Sequence, residues 1–218
     1  MKKVLTSLLV ILLLSGCSYP NITKMNKLDV EQTVYTILPL KVKMHNKNGN
    51  GYKYYTPKGV TRVNTKKFNE VLKKDSYKDY LYIDMVDYYY KNESNYKINK
   101  NAFYSDKISY KNKKGYLEIT KSKDKMYVVM YYNYAKIETY VDKKDLTDTV
   151  RNLSYILSSV EFNDSLITRL YESGSLGSKE EVYKLFDNKE KDGNFIEYIE
   201  EYDNYNSKND TSSASNGE

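Results

Sequence analysis

The chain of 218 residues has no Trp, one Cys, one His, three Pro and nine Gly. A single Cys excludes a disulfide scaffold, and nine Gly exclude a collagen-like repeat. The one His, His45, cannot build a His-based zinc site, and no Ser and acid are marked as its triad partners. Beside the Asn/Gly-rich stretch 46–51 it reads as a solvated loop residue. Arg is nearly as scarce: Arg62, Arg151 and Arg169 stand beside 32 Lys. That balance argues against geometry-specific phosphate recognition and for diffuse attraction. No phosphate-binding glycine loop or dinucleotide fingerprint is present, because Gly174-Ser175-Leu176-Gly177 lacks both the Lys and a preceding strand. A mean hydropathy of −0.75 excludes a multi-span membrane protein. A hydrophobic fraction of 40% excludes a fully disordered chain.

The first seventeen residues carry the sharpest signal. Lys2 and Lys3 precede an almost wholly apolar run, Val4 to Leu14. Eleven residues are too few for a bilayer span, which needs about 20, but they fit the core of a signal peptide. Leu14-Ser15-Gly16-Cys17 follows. This resembles the lipobox of bacterial lipoproteins: an aliphatic residue and two small ones, then Cys. The resemblance implies recognition by a signal peptidase through Leu14, Ser15 and Gly16, cleavage before Cys17, and a diacylglyceryl anchor on the Cys17 thiol. Two acyl chains hold a protein at a membrane where one is marginal. The expected location is the extracytoplasmic face of the cell membrane, close to the wall.

Charge and pattern divide the rest. Cys17 to Val160 carries 27 basic and 15 acidic residues, and Glu161 to Glu218 carries 6 and 14. The expected organisation is a signal peptide at 1–16, a lipidated tether at 17–27, an α+β domain at 28–161, an acidic helical segment at 162–205 and a disordered tail at 206–218. Residues 28–38 predict a short helix after Asp29, and 52–55 and 60–63 predict extended pieces about Pro57-Lys58-Gly59. Thr65, Phe68, Val71 and Leu72 predict a helix of about nine residues. Leu81, Ile83 and Met85 alternate, as do Val86, Tyr88 and Tyr90, which predicts strand with a bulge between the two phases. Residues 107–110 and 116–120 are strand candidates. Met126 to Tyr132 is apolar on both faces, so a covered interior strand is expected there. The next strand, through Ala135, Ile137 and Val141, carries Lys136 and Glu138 on a side expected to be half exposed. Leu146, Val150, Leu153 and Leu157 fall at helical spacing after Asp142, an expected N-cap. Further helices are expected from Asp164, from Ser178 and around Phe195 to Tyr202. The fold class expected is α+β: an antiparallel sheet meander with flanking helices and a C-terminal helical segment. The strand-strand-helix ending in Ile156-Leu157-Ser158-Ser159-Val160 loosely resembles the PsbP-like α/β sandwich over residues 52–161.

Tyr is the richest lead for function. It occurs 26 times against five Phe, and 18 of the 26 lie between Tyr52 and Tyr140. Codon bias toward A/T accounts for much of the Lys, Asn and Tyr content. Clusters at Tyr54-Tyr55, Tyr88-Tyr89-Tyr90 and Tyr131-Tyr132-Tyr134 form the candidate binding surface, since Tyr offers a flat apolar face, a polar tip and little entropy to lose. A bulge at Met85 would bring Asp84 and Asp87 together as a pair able to hold a hard cation or act as acid and base, and an enzyme would need Asp84, Asp87 or Glu118 to converge in a cleft. Asp142, Asp145 and Asp148 share a helix face that the helix dipole already explains, so no metal site is expected. No cofactor, catalytic residue or nucleic-acid partner is expected. The function expected is a non-enzymatic binding or assembly module at the envelope, contacting the membrane through Cys17 and a cell-wall polymer or an envelope protein complex. The alternative is an exported wall-active enzyme using Asp, Glu and Tyr.

Overall fold

The computed structural model describes residues 27–41 and 44–176. The lipobox, the tether to residue 26, and the helices expected from Ser178 and around Phe195 lie outside the described residues. The fold is α+β: the described residues form an antiparallel seven-stranded sheet, a smaller three-stranded sheet and four α-helices.

Helix α1 (Lys27–Ile37) opens the fold, with Asp29 in its first turn rather than at its cap. Strands β1 (Lys47–Asn48) and β2 (Tyr52–Tyr54) form a small hairpin. Strands β3 (Thr61–Lys66), β4 (Asn69–Lys74) and β5 (Tyr77–Ile83) form one meander. Helix α2 (Met85–Tyr90) and an extended connection lead to β6 (Tyr104–Tyr110), β7 (Lys113–Ser122), β8 (Lys125–Tyr132) and β9 (Ala135–Val141), a second meander. Strand β9 pairs with β5 and joins the two, giving the order β3-β4-β5-β9-β8-β7-β6. A 3-10 turn (Lys143–Asp145), helix α3 (Leu146–Ser158), strand β10 (Glu161–Phe162) and helix α4 (Asp164–Glu172) follow. Strand β10 pairs with β2. Residues 162–176, expected to open the acidic segment, lie on the core of the preceding domain: Ile167 and Leu176 are buried in it.

The core sits between one sheet face and the helices. Val128, Met130 and Tyr132 of β8 stand opposite Thr139, Ile137 and Ala135 of β9, and Leu81 and Ile83 continue the row. Helix α3 lays Leu146, Val150, Leu153 and Leu157 on this face, and α1 packs Val30 and Val34 against α3. The spacing of those residues, at intervals of three or four, makes one apolar stripe per helix. Under the small sheet, Glu70 is enclosed by the core; the Tyr52 and Tyr54 hydroxyls donate to its carboxylate and Arg62 reaches it at 3.3 Å.

Four expectations are corrected. Residues 65–72 are not a helix but the β3–β4 hairpin, turning at Lys67 with φ of 53°. The spacing of Phe68, Val71 and Leu72 suits either period over so short a stretch, and ladder pairing of β4 with β5 decides it. Residues 86–90 are not strand. The Asp84 carboxylate accepts the Asp87 N–H at 2.8 Å and starts α2, and left-handed Lys91 ends it. The phase change after Met85 is therefore a change of element, not a bulge. The outward side of β9 is not half exposed, since Glu138 is only 3% exposed. Finally, Asp142 precedes the 3-10 turn rather than capping α3, and its side chain makes no cap bond. Its carboxylate instead accepts the Tyr77 hydroxyl at 2.8 Å.

Candidate ligand-binding cavity

A cavity of about 310 Å³ opens where the α2–β6 connection crosses the β6–β7 hairpin and the β8–β9 turn. Tyr96, Tyr131 and Tyr134 supply aromatic wall, Lys107, Lys113 and Lys114 supply positive charge, and Ser94, Ser109 and Asn112 add neutral polar groups. Strand alternation supplies part of this composition. Register places Tyr116 opposite Tyr131 and Lys107 opposite Tyr116, all on the face away from the helices.

The rings are stacked. Tyr96 lies 3.9 Å from Tyr116 with planes 3° apart, and Tyr116 lies 5.6 Å from Tyr131 at 13°. Glu118 fixes the outermost ring: its carboxylate accepts the Tyr96 hydroxyl at 2.6 Å and the Asn99 amide at 3.3 Å. The Ser105 hydroxyl in turn donates to Tyr96 at 2.6 Å and accepts the Asn99 N–H at 2.8 Å. Burial and the bond to Glu118 push the Tyr96 hydroxyl up to about 12, so it stays a neutral donor.

The β8–β9 turn gives the cavity its floor. Asn133 and Tyr134 have φ of 53° and 59°, the left-handed pair that a two-residue hairpin turn demands. Asn tolerates this, but Tyr incurs a cost of about 1–2 kcal/mol. The Asn133 amide donates to the Val160 carbonyl at 3.0 Å, and the Tyr134 carbonyl accepts the Asp84 N–H at 2.8 Å. The strained Tyr is thus held from both sides, with its ring edge-on to Tyr88 at 5.4 Å. Gly115 is required by close approach, because a Cβ there would lie 1.9 Å from the Tyr131 carbonyl oxygen.

The three lysines differ. Lys114 pairs with Glu93 at 2.6 Å, but both side chains are more than 60% exposed, so the pair is worth little. Lys113 is partly buried, and loss of hydration lowers its pKa, with Glu161 opposing that. Among the described residues, no carboxylate lies within ion-pair distance of Lys107 or Lys113. The cavity therefore combines stacked rings with two lysines, Lys107 and Lys113, that have no close counter-ion among the described residues, beside the Lys114–Glu93 pair.

The candidate binding surface divides. Tyr131 and Tyr134 line the cavity. Tyr54 and Tyr132 are 0% and 1% exposed and belong to the core, so they form no surface. Tyr55 is half buried, its N–H donating to the Ser159 hydroxyl at 2.9 Å. Tyr88, Tyr89 and Tyr90 form a joint between elements: Tyr88 stacks on Phe162 at 3.8 Å, Tyr89 stacks on Tyr171 at 4.2 Å, and the Tyr90 and Tyr171 hydroxyls meet at 2.5 Å. Cys17, Leu14, Ser15 and Gly16 lie outside the described residues.

The acids hold structure. Asp84 caps α2, Asp87 accepts the Asn92 amide at 2.9 Å, and Glu118 fixes Tyr96. The Tyr77 hydroxyl bridges Asp142 and Asp145 at 2.8 and 2.6 Å, and Asp148 pairs with Arg151 at 2.7 Å. Among the described residues no group of three or more His, Cys, Asp or Glu could hold a metal ion. His45 is not a solvated loop residue. Its side chain is 10% exposed, and Nε2 carries the proton donated to the Ser159 carbonyl at 3.1 Å.

Sequence reasoning missed Tyr96, Tyr116 and the three cavity lysines. Tyr116 and Tyr131 share the outward phase of two strands, a signal visible once those strands are paired. Tyr96 sits in a connection without periodicity, and nothing marked it. Comparison with protein-family models, with curated proteins and with solved structures gives no match.

Proposed function

We propose that the chain is a lipid-anchored extracytoplasmic binding module whose ligand site is the Tyr/Lys cavity and whose ligand is an anionic wall polymer. The observation that carries this reading is the Tyr96–Tyr116–Tyr131 stack beside Lys107 and Lys113. Flat rings suit the apolar faces of sugars, and lysines without a close counter-ion suit an anionic chain. The lipobox supports the location. Nine residues, 18–26, separate Cys17 from α1, a tether of at most about 35 Å, which keeps the body near the anchor. No helix among the described residues is long and apolar enough to cross a membrane, so the anchor carries attachment in this reading. The enzymatic alternative gains no support from the acids, each of which is engaged in holding a cap, a turn or a ring.

The test is co-sedimentation of residues 18–218 with purified wall sacculi at low and high salt. Binding that weakens with salt and with Lys107→Ala plus Lys113→Ala is expected. Equal sedimentation of the native and doubly substituted chains, or none at either salt, overturns the wall-polymer reading and directs the search to an envelope protein.

A further inference from the structure

The seven-stranded sheet has two ends of different character. The cavity occupies one, between the β6–β7 turn and the β8–β9 turn. The other end carries the β4–β5 turn, the β7–β8 turn and the 3-10 turn after β9. Register gathers these three, because Lys74 pairs with Tyr77, Ser122 with Lys125, and Met126 with Val141. Side chains tie them together: the Tyr77 hydroxyl bridges Asp142 and Asp145, and Lys125 reaches Asp142 at 3.3 Å. Strand β8, eight residues long, separates the two ends by about 26 Å.

The chain enters the fold at the end away from the cavity. Helix α1 packs along α3. The loop after α1 brings His45 to the Ser159 carbonyl at 3.1 Å, at the C-terminal end of α3. That end adjoins the β8–β9 turn, since Asn133 bonds the Val160 carbonyl at 3.0 Å. The start of α1 lies the other way. Burial, with the charges of Asp106 and then Glu31, raises the Tyr104 hydroxyl to about 12, so Glu31 stands close to the first residue of β6. Register sets Tyr104 level with Val128, several residues short of Asn133. Helix α1 therefore runs in the direction of β8, and Lys27, about 6 Å before Glu31, lies toward the Lys125 end.

We propose that this end is a membrane-facing surface whose partner is an anionic phospholipid bilayer, docked through Lys121, Lys123, Lys143 and Lys144 so that the cavity opens away from the membrane. The proposal rests on the lipid-anchor reading of Cys17. Two observations select this partner. The first is where the chain leaves the fold. The tether of at most about 35 Å starts at this end, so the anchor holds these turns at the bilayer and sets the cavity about 26 Å farther out. The second is charge. The three turns and their flanks expose Lys73, Lys121, Lys123, Lys143 and Lys144 against Asp75 and Asp124. Asp142 and Asp145 are already engaged by Tyr77 and Lys125. Among the described residues, no carboxylate lies within ion-pair distance of Lys121, Lys123, Lys143 or Lys144. Each Lys beside an anionic bilayer contributes about fivefold in binding, and tethering keeps these four at high effective concentration near the headgroups. Lys suits the task, because a layer of mobile headgroups needs charge but no fixed fork of donors.

The test is co-sedimentation of residues 18–218 with phosphatidylcholine vesicles and with vesicles that also contain phosphatidylglycerol. Binding to the anionic vesicles alone is expected, weakened by salt. Lys121→Gln with Lys123→Gln, Lys143→Gln and Lys144→Gln should lower it by at least about tenfold. If that variant fails to fold, Lys143→Gln with Lys144→Gln carries the same expectation at about fivefold or more. No binding to anionic vesicles, equal binding to both kinds, or binding that the folded variant retains in full overturns the proposal. So does loss of binding on Lys107→Ala with Lys113→Ala instead, which would turn the cavity end to the bilayer. These residues lack Cys17, so the result does not depend on acylation. The mass of the full-length chain purified from bacterial membranes reports the diacylglyceryl group separately, and its absence would fail the anchor reading alone.

Discussion

Asp79 is the most sharply testable group in the core. It lies on β5 opposite Thr139 of β9 and Leu72 of β4, and is 4% exposed. Burial raises its pKa from 3.8 to about 6, against the opposing pull of a hydrogen bond from Thr139 and of the Lys74 charge. The folded state therefore holds the proton more tightly than the unfolded chain. Stability is fully present below the unfolded pKa and is lost as pH rises through about 6. At about 1.4 kcal/mol per pH decade, the ionised carboxylate costs about 3 kcal/mol well above that point. Asp79→Asn keeps the shape but cannot ionise. Its new amide N–H needs a partner, which returns about 1–2 kcal/mol of the gain. The advantage of the variant over the native chain should grow by about 2 kcal/mol between about pH 4.5 and about pH 8. For a domain of this size that is a melting-temperature difference that widens by about 4–8 °C. Parallel melts of both chains by circular dichroism across this range read it directly, because all other titrations cancel in the difference. A difference that stays constant with pH would refute a buried, proton-hungry Asp79.

Three further outcomes follow from the geometry. Tyr54→Phe removes one hydroxyl from the enclosed Glu70 carboxylate and should cost about 1–3 kcal/mol in urea unfolding; no change would mean that water replaces the bond. Gly115→Ala places a methyl against the Tyr131 carbonyl and should destabilise by about 1–3 kcal/mol, with faster amide exchange in β7 and β8. Tyr134→Gly relieves about 1–2 kcal/mol of left-handed strain but forfeits an aromatic contact of about 0.5–1.5 kcal/mol with Tyr88. Its melting temperature should barely move while sacculus binding falls, and unimpaired binding would remove Tyr134 from the site.

Much of the fold was legible because alternation and helical spacing are strong where the core is deep. Met126 to Tyr132, Ala135 to Val141 and Leu146 to Leu157 each bury a continuous row, so sequence and structure agree there. The errors fall where local pattern was short and tertiary pairing decided. Phe68, Val71 and Leu72 fit a helical turn as well as a hairpin, and only β5 as a neighbour selects the strand. Tyr88-Tyr89-Tyr90 has strand propensity, yet Asp84 as a cap and the rings of Phe162 and Tyr171 hold it helical. The cavity was half visible. Tyr131 and Tyr134 belonged to a conspicuous cluster, whereas Lys107, Lys113 and Tyr96 acquire meaning only when the crossing connection brings them to one place. Composition alone could not separate core Tyr from surface Tyr, because Tyr54 and Tyr132 carry the same side chain into the interior.

The central claim is that the Tyr/Lys cavity receives an anionic wall polymer. Hydrogen–deuterium exchange of residues 18–218, with and without solubilised wall polymer, tests it most directly. The account predicts added protection at residues 92–96, 107–115 and 131–134, lost in the Lys107→Ala, Lys113→Ala chain. Protection confined to the α2–α4 aromatic joint, or absent at saturating polymer, would contradict it.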